Sequence, residues 1–170
     1  QPLDSRLLPH ALDDLALALQ PKEAGKQVAW AFADSDQDAA DGQRSNPWFK
    51  PSWDLDLYLG ADLFTAGALF GRDIIQRAVR LLNAAPELPR DQEGVLAALI
   101  LATEQDRLGV ARVTQVLSHR SANSPARPAG CDAGKPQRLE IVHLLMHRLP
   151  LRFGAQQAAE GPPGGREEMD

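Results

Sequence analysis

Three sets of side chains carry residue types that could do chemistry. Glu140, His143 and His147 are spaced three and four residues apart. On a helix, positions i and i+4 share a face, so two imidazoles there can offer two nitrogens to one metal, with the carboxylate about one turn before them. The alternative for this trio is a solvated polar face. Asp34, Asp36 and Asp38, with Asp41 nearby, alternate carboxylates as the opening of a calcium loop does. Such a loop needs Gly at its sixth position and Glu at its twelfth. Counted from Asp34 these places hold Ala39 and Ser45, so the segment reads as a solvated acidic loop. Asp54 and Asp56 stand at i and i+2 in WDLDLYL. A strand would put both on one face, where they could hold a divalent cation for phosphoryl or nucleotidyl transfer.

The Asp54-Leu55-Asp56 stretch resembles the Asp-hydrophobic-Asp strand of the nucleotidyltransferases. In that family a Gly-Ser turn precedes the pair, whereas here Gly42 is followed by Gln43. The resemblance implies a magnesium-dependent transfer enzyme with Asp54 and Asp56 as metal ligands. Residues 108–117 (LGVARVTQVL), followed by Ser118, His119 and Arg120, resemble the recognition helix of a helix-turn-helix. That resemblance implies a DNA-binding regulator acting through 108–120, with Arg107, Arg112, His119, Arg120 and Arg127 on one surface. Residues 149–154 (LPLRFG) resemble the end of an Arg-Phe-amide neuropeptide, with Arg148 as an upstream cleavage site. Ala155, Gln156 and Gln157 stand where such precursors carry basic residues; otherwise Phe153 anchors the chain end.

Trp48, Phe49 and Trp53 lie around Pro47 and Pro51. Aromatics framed by prolines either bind a partner or pack a loop onto its own domain. The single cysteine, Cys131, excludes an internal disulfide and a thiolate zinc cluster.

The bulk properties bound these readings. The 170 residues suit one domain, and 44 % hydrophobic residues suffice for a core. Aromatics are only 5 %, which favours a Leu- and Ala-based, helical core. The net charge of -5, from 18 basic against 23 acidic residues, argues against a general nucleic-acid binder. The longest apolar run, Val95 to Ala102, is far short of the roughly 20 residues of a membrane span. The chain opens on Gln1, so a cytoplasmic chain, an exported one without its leader and a fragment all remain open.

Along the chain, Leu3 to Leu19 reads as helix with Pro9 as a start or kink. Residues 26–33 and 53–59 alternate as two strands of a long-looped hairpin, with a surface loop at 34–51. From Gly71 onward, Ile74, Ile75, Ala78, Val79, Leu81 and Leu82 share one helical face. Asp91 can cap the next helix, which is apolar all round and therefore central. Helices over 108–117 and 137–149 follow, with a mobile loop at 121–136 and a disordered tail at 154–170.

The expectation is a mainly α fold: a small domain of about five helices over 1–153, with the one hairpin of 26–33 and 53–59. The function expected is a non-enzymatic protein–protein interaction or regulatory domain, meeting another protein through Trp48, Phe49 and Trp53. The alternatives are the metal-dependent enzyme of Asp54 and Asp56 and the DNA-binding regulator of 108–120. No cofactor is expected beyond a divalent metal, and no nucleic acid.

Overall fold

The computed structural model describes residues 5–21, 26–39, 41, 43–121 and 143–148. They form, in chain order, β1 (Ser5–Leu7), α1 (Ala11–Ala18), β2 (Val28–Asp38), β3 (Arg44–Trp48), α2 (Leu55–Gly60), β4 (Leu69–Phe70), α3 (Arg72–Ala84), α4 (Gln92–Gln105) and β5 (Gly109–Arg120). A further helix covers 143–148. The architecture is α/β: a five-stranded mixed sheet in the order β1-β5-β2-β3, with β4 also pairing with β2. Strands β2 and β5 run parallel, and the remaining pairs are antiparallel.

Strand β2 is the centre. From Ala29 to Ala33 every residue is buried, because both faces of the strand are covered. Trp30 and Phe32 enter the larger core with Ile74, Ala78 and Leu82 of α3 and Ala97, Ile100 and Leu101 of α4. Ala31 and Ala33 enter a smaller core against Ala11, Leu15 and Ala18 of α1. A strand covered on both sides is read as a continuous apolar run rather than an alternation.

The helices beneath follow from local sequence. In α3, Ile74, Ala78 and Leu82 repeat every four residues and are buried, while Ile75 and Val79 on the flank of that stripe stay about half exposed. Helix α4 starts where Asp91 accepts a hydrogen bond from the Gly94 amide at 3.0 Å. Its residues Ala97 to Thr103 are all buried.

Several expectations from sequence are overturned. The domain is not mainly helical, because a sheet organises it. No hairpin joins 26–33 to 53–59: β2 pairs with β3, β4 and β5, and Leu55–Gly60 is helix. Asp54 causes this locally, its carboxylate accepting from the Leu57 amide at 2.9 Å as an N-cap. The helix then buries Tyr58 and leaves Leu57 partly in solvent. The 34–51 loop is instead the second half of β2 together with β3. The expected helix over 108–117 is not formed: from Gly109 on these residues belong to strand β5, where Val110, Val113, Thr114 and Val116 are β-branched and suit a strand. Helix α1 begins only at Ala11, since Ser5–Leu7 pairs with β5. The expected 121–136 loop (but for Ser121), the 154–170 tail and the LPLRFG stretch lie outside the described residues.

Gly94 supplies a test of this packing. A Cβ placed there would meet the Pro89 carbonyl oxygen at 1.9 Å. Alanine is normally the better helix former, so an exposed Gly→Ala change in a helix stabilises. Gly94→Ala should do the opposite and lower stability by about 1–3 kcal/mol, because backbone must move to admit the methyl group. Urea unfolding of the two proteins checks the sign.

Candidate functional site

The second half of β2 carries Asp34, Ser35, Asp36 and Gln37, and all four are buried. Ionised carboxylates enter a protein interior only with partners, since desolvation costs several kcal/mol per ion. Here the partners come from both neighbouring strands. Asp34 Oδ1 accepts the backbone N–H of Lys50 at 2.8 Å. Arg112 of β5 reaches both Asp34 oxygens at 3.3 Å. Arg44 of β3 donates to Asp36 Oδ2 at 2.5 Å. The Nδ1 of His119, from β5, meets Asp36 Oδ1. A carboxylate only accepts, so that nitrogen carries the proton.

Burial alone would raise the Asp36 carboxyl; the hydrogen bonds and positive charges of His119 and Arg44 outweigh it and hold the group below the usual carboxylate range. Gln37 is fixed as well, donating to the Ser121 carbonyl at 3.1 Å and accepting from Asn46 at 3.1 Å. Asp38, at the end of the strand, pairs with Arg6 in solvent.

Lys50 stands behind this row and is 1 % exposed. Its ammonium donates to the carbonyls of Phe64 at 3.2 Å and Ala66 at 2.6 Å, and lies 5.9 Å from the centre of the Phe32 ring. The same loop is turned by Asp62, whose carboxylate accepts the amides of Phe64 and Thr65. One residue therefore ties the Asp34 carboxylate, through its amide, to the 62–66 loop, through its ammonium.

The arrangement can do two things chemically. It presents two carboxylates at i and i+2 on one strand, beside guanidinium groups. It also lies toward the carboxyl end of a parallel strand pair, where open α/β sheets bind ligands. The open groove lined by Pro21, Gln27, Gly71 and Asp73 is at the amino end of β2, away from these charges.

No protein family is matched by the chain, and no solved structure matches it. One curated protein is similar. Over 136 residues the chain is 30 % identical to the O-antigen biosynthesis protein RfbC of Myxococcus xanthus. The match takes in 76 % of this chain and 10 % of that protein, so the chain spans about a tenth of the length of the relative.

The residues singled out from sequence fall as follows. Asp54 caps α2 and Asp56 lies on it, both exposed, so the strand-borne carboxylate pair expected there is not formed. Arg112 and His119 turn inward to Asp34 and Asp36, which removes them from any shared DNA-facing surface. Arg127 is outside the described residues. Trp53 is half-buried and packs edge-on to Trp30 and Phe64 at 4.9 and 5.0 Å, its indole N–H reaching Glu104. Trp48 is half-buried in β3, while Phe49 is 69 % exposed. His143 and His147 come together, and Glu140 lies outside the described residues. Among the described residues no group of three or more His, Cys, Asp or Glu could hold a metal ion. No helix among them is long and apolar enough to cross a membrane.

Asp34, Asp36 and Asp38 lie in strand β2, not in the solvated loop that their alternation suggests. The available signal was the apolar run ending at Ala33, which a strand can continue into Asp34 and Asp36 if cations are supplied from elsewhere.

Lys50 gives this cluster a measurable signature. Burial pushes its ammonium from 10.5 down to about 8; the carboxylates of Asp62 and Asp34 oppose the shift and Arg120 adds to it. Between those two values the folded chain releases a proton that the unfolded chain still holds, so stability rises with pH across that window. Relative to Lys50→Met, the wild type should gain roughly 2–3 kcal/mol between pH 8 and pH 10.5. Urea midpoints measured at both ends check it, and parallel curves for the two proteins would refute it.

Proposed function

We propose that this chain is a sugar-transfer unit of surface-polysaccharide assembly, holding the diphosphate of a nucleotide-activated sugar at Asp34 and Asp36. The observation that carries the reading is the unequal grip on the two carboxylates. Their Oδ1 atoms are fixed by a backbone N–H and a buried imidazole. The Oδ2 of Asp34 is met by Arg112, which lies at the same 3.3 Å from Oδ1, and the Oδ2 of Asp36 by Arg44, whose side chain is 53 % exposed. Those two oxygens suit a hard divalent cation such as magnesium, which binds through one or two carboxylates and completes its shell with substrate phosphate and water.

When bound, such a cation offsets the charge of the leaving diphosphate. The chain's own groups do the rest. Arg44 and Arg112, released from the carboxylates, match phosphate oxygens with planar donor forks. Lys50 keeps Asp34 and the 62–66 loop in register. In the transfer, the bond from sugar to diphosphate breaks, one to the acceptor hydroxyl oxygen forms, the nucleoside diphosphate leaves and the hydroxyl proton passes to water. Similarity to an O-antigen biosynthesis protein supports sugar chemistry, and the proposal concerns this segment alone.

A second reading, the non-enzymatic interaction domain, is favoured by Phe49, which stands 69 % exposed beside the half-buried Trp48. Its surface would be Trp48 and Phe49, since Trp53 is occupied within the aromatic core.

Thermal unfolding with manganese and a panel of nucleoside diphosphates, added together and separately, tests the sugar-transfer reading. A ligand that binds only the folded state raises the midpoint. The expected result is stabilisation by one diphosphate with manganese, lost in Asp34→Asn and Asp36→Asn variants that keep native circular dichroism, and kept in Asp56→Asn. No stabilisation by any diphosphate, or equal binding by all variants, would refute it.

A further inference from the structure

We propose that His143 and His147 form a surface site for a borderline transition metal (zinc, nickel or copper), separate from the carboxylates of β2. The site follows from how the 143–148 helix is seated. Leu145 is fully buried in the larger core, and Leu144 packs against that core from the rim. At about 100° per residue, positions two before and two after Leu145 point to the opposite side and lie about 40° apart. His143 and His147 therefore face outward together, one turn apart, and both are exposed. The end of the helix is held by the ion pair of Arg148 with Glu87, the residue after Pro86 beyond α3.

The separation of the two imidazoles is the deciding measurement. Their Nε2 atoms stand 3.2 Å apart and their ring centroids 4.4 Å apart. Metal–imidazole bonds to zinc are about 2.0–2.1 Å. Two such bonds drawn from nitrogens 3.2 Å apart meet at about 100°, close to a tetrahedral angle. At that separation one Nε2 can donate to the other; with both protons on Nδ1 instead, the two Nε2 lone pairs are free for a metal. Imidazole pairs select zinc, copper and nickel over magnesium and calcium, which prefer oxygen. The remaining positions are open to water, which makes this a site of modest affinity that clamps one helical turn.

Zinc chloride titrated calorimetrically into the untagged full chain tests the site. At pH 7.5 the wild type should bind one zinc, and His143→Ala or His147→Ala should each weaken it about tenfold or more, since each removes half of the protein's ligands. His10→Ala, at an exposed histidine remote in sequence, should change nothing. Binding should weaken as the pH is lowered from 7.5, because metal and protons compete for the same ring nitrogens. Both histidines are on the surface, so their loss leaves the fold intact, and hydrogen exchange over 143–148 provides a second reading that zinc should slow only when both are present. No uptake by the wild type, equal uptake by the doubly substituted chain, or loss of binding on His10→Ala would overturn the site.

Discussion

Two negative charges in the middle of a sheet set the terms for everything around them. Asp34 and Asp36 occupy the strand that lies between β5 and β3, and nearly all water is excluded from them. Such a pair is tolerable only if each neighbouring strand contributes cationic or N–H donors at the matching register. The strand order supplies them: Arg112 and His119 from β5, Arg44 from β3, and the Lys50 amide just past β3. A sheet with β3 and β5 elsewhere would strand both carboxylates.

The two ends of β2 do different work. Its first half is held by dispersion and area, with Trp30 and Phe32 at the hub of an aromatic group that includes Trp53, Phe64 and Phe70. Its second half is held by charge. Lys50 and Phe32 lie where the two regimes meet, the ammonium beside the Phe32 ring and its loop carbonyl partners from Phe64 and Ala66. An apolar half thus anchors a half held by ion pairs and hydrogen bonds.

What could be read from sequence was what depends on near neighbours. The four-residue repeat of Ile74, Ala78 and Leu82 marks α3, Asp91 marks the start of α4, and the alternation over 26–33 marks the first half of β2. Features set by distant partners were hidden. The charge on Asp34, Asp36 and Arg112 suggests solvent unless their mutual pairing is known, so β2 appeared to end at Ala33 and β5 appeared helical. Asp54 shows a different failure: its alternation with Leu55 and Asp56 suits a strand, and one side-chain hydrogen bond to Leu57 converts it into a cap. The candidate site was visible as residues and invisible as a site, because its cations arrive from two other strands.

The pairing of Asp36 with His119 joins residues 83 positions apart in the chain. Closing so long a loop carries an entropic cost that must be met before the contact rewards it, and parallel strand pairs of this kind assemble slowly. The antiparallel partners of β2, β3 and β4, lie within 42 residues of its first residue, whereas its parallel partner and the Arg112 and His119 side chains come only with β5. Helices α3 and α4, consecutive in the chain, pack on each other without any such long closure. Placing β5 beside β2 and bringing Arg112 and His119 to the two carboxylates are therefore one and the same long-range closure.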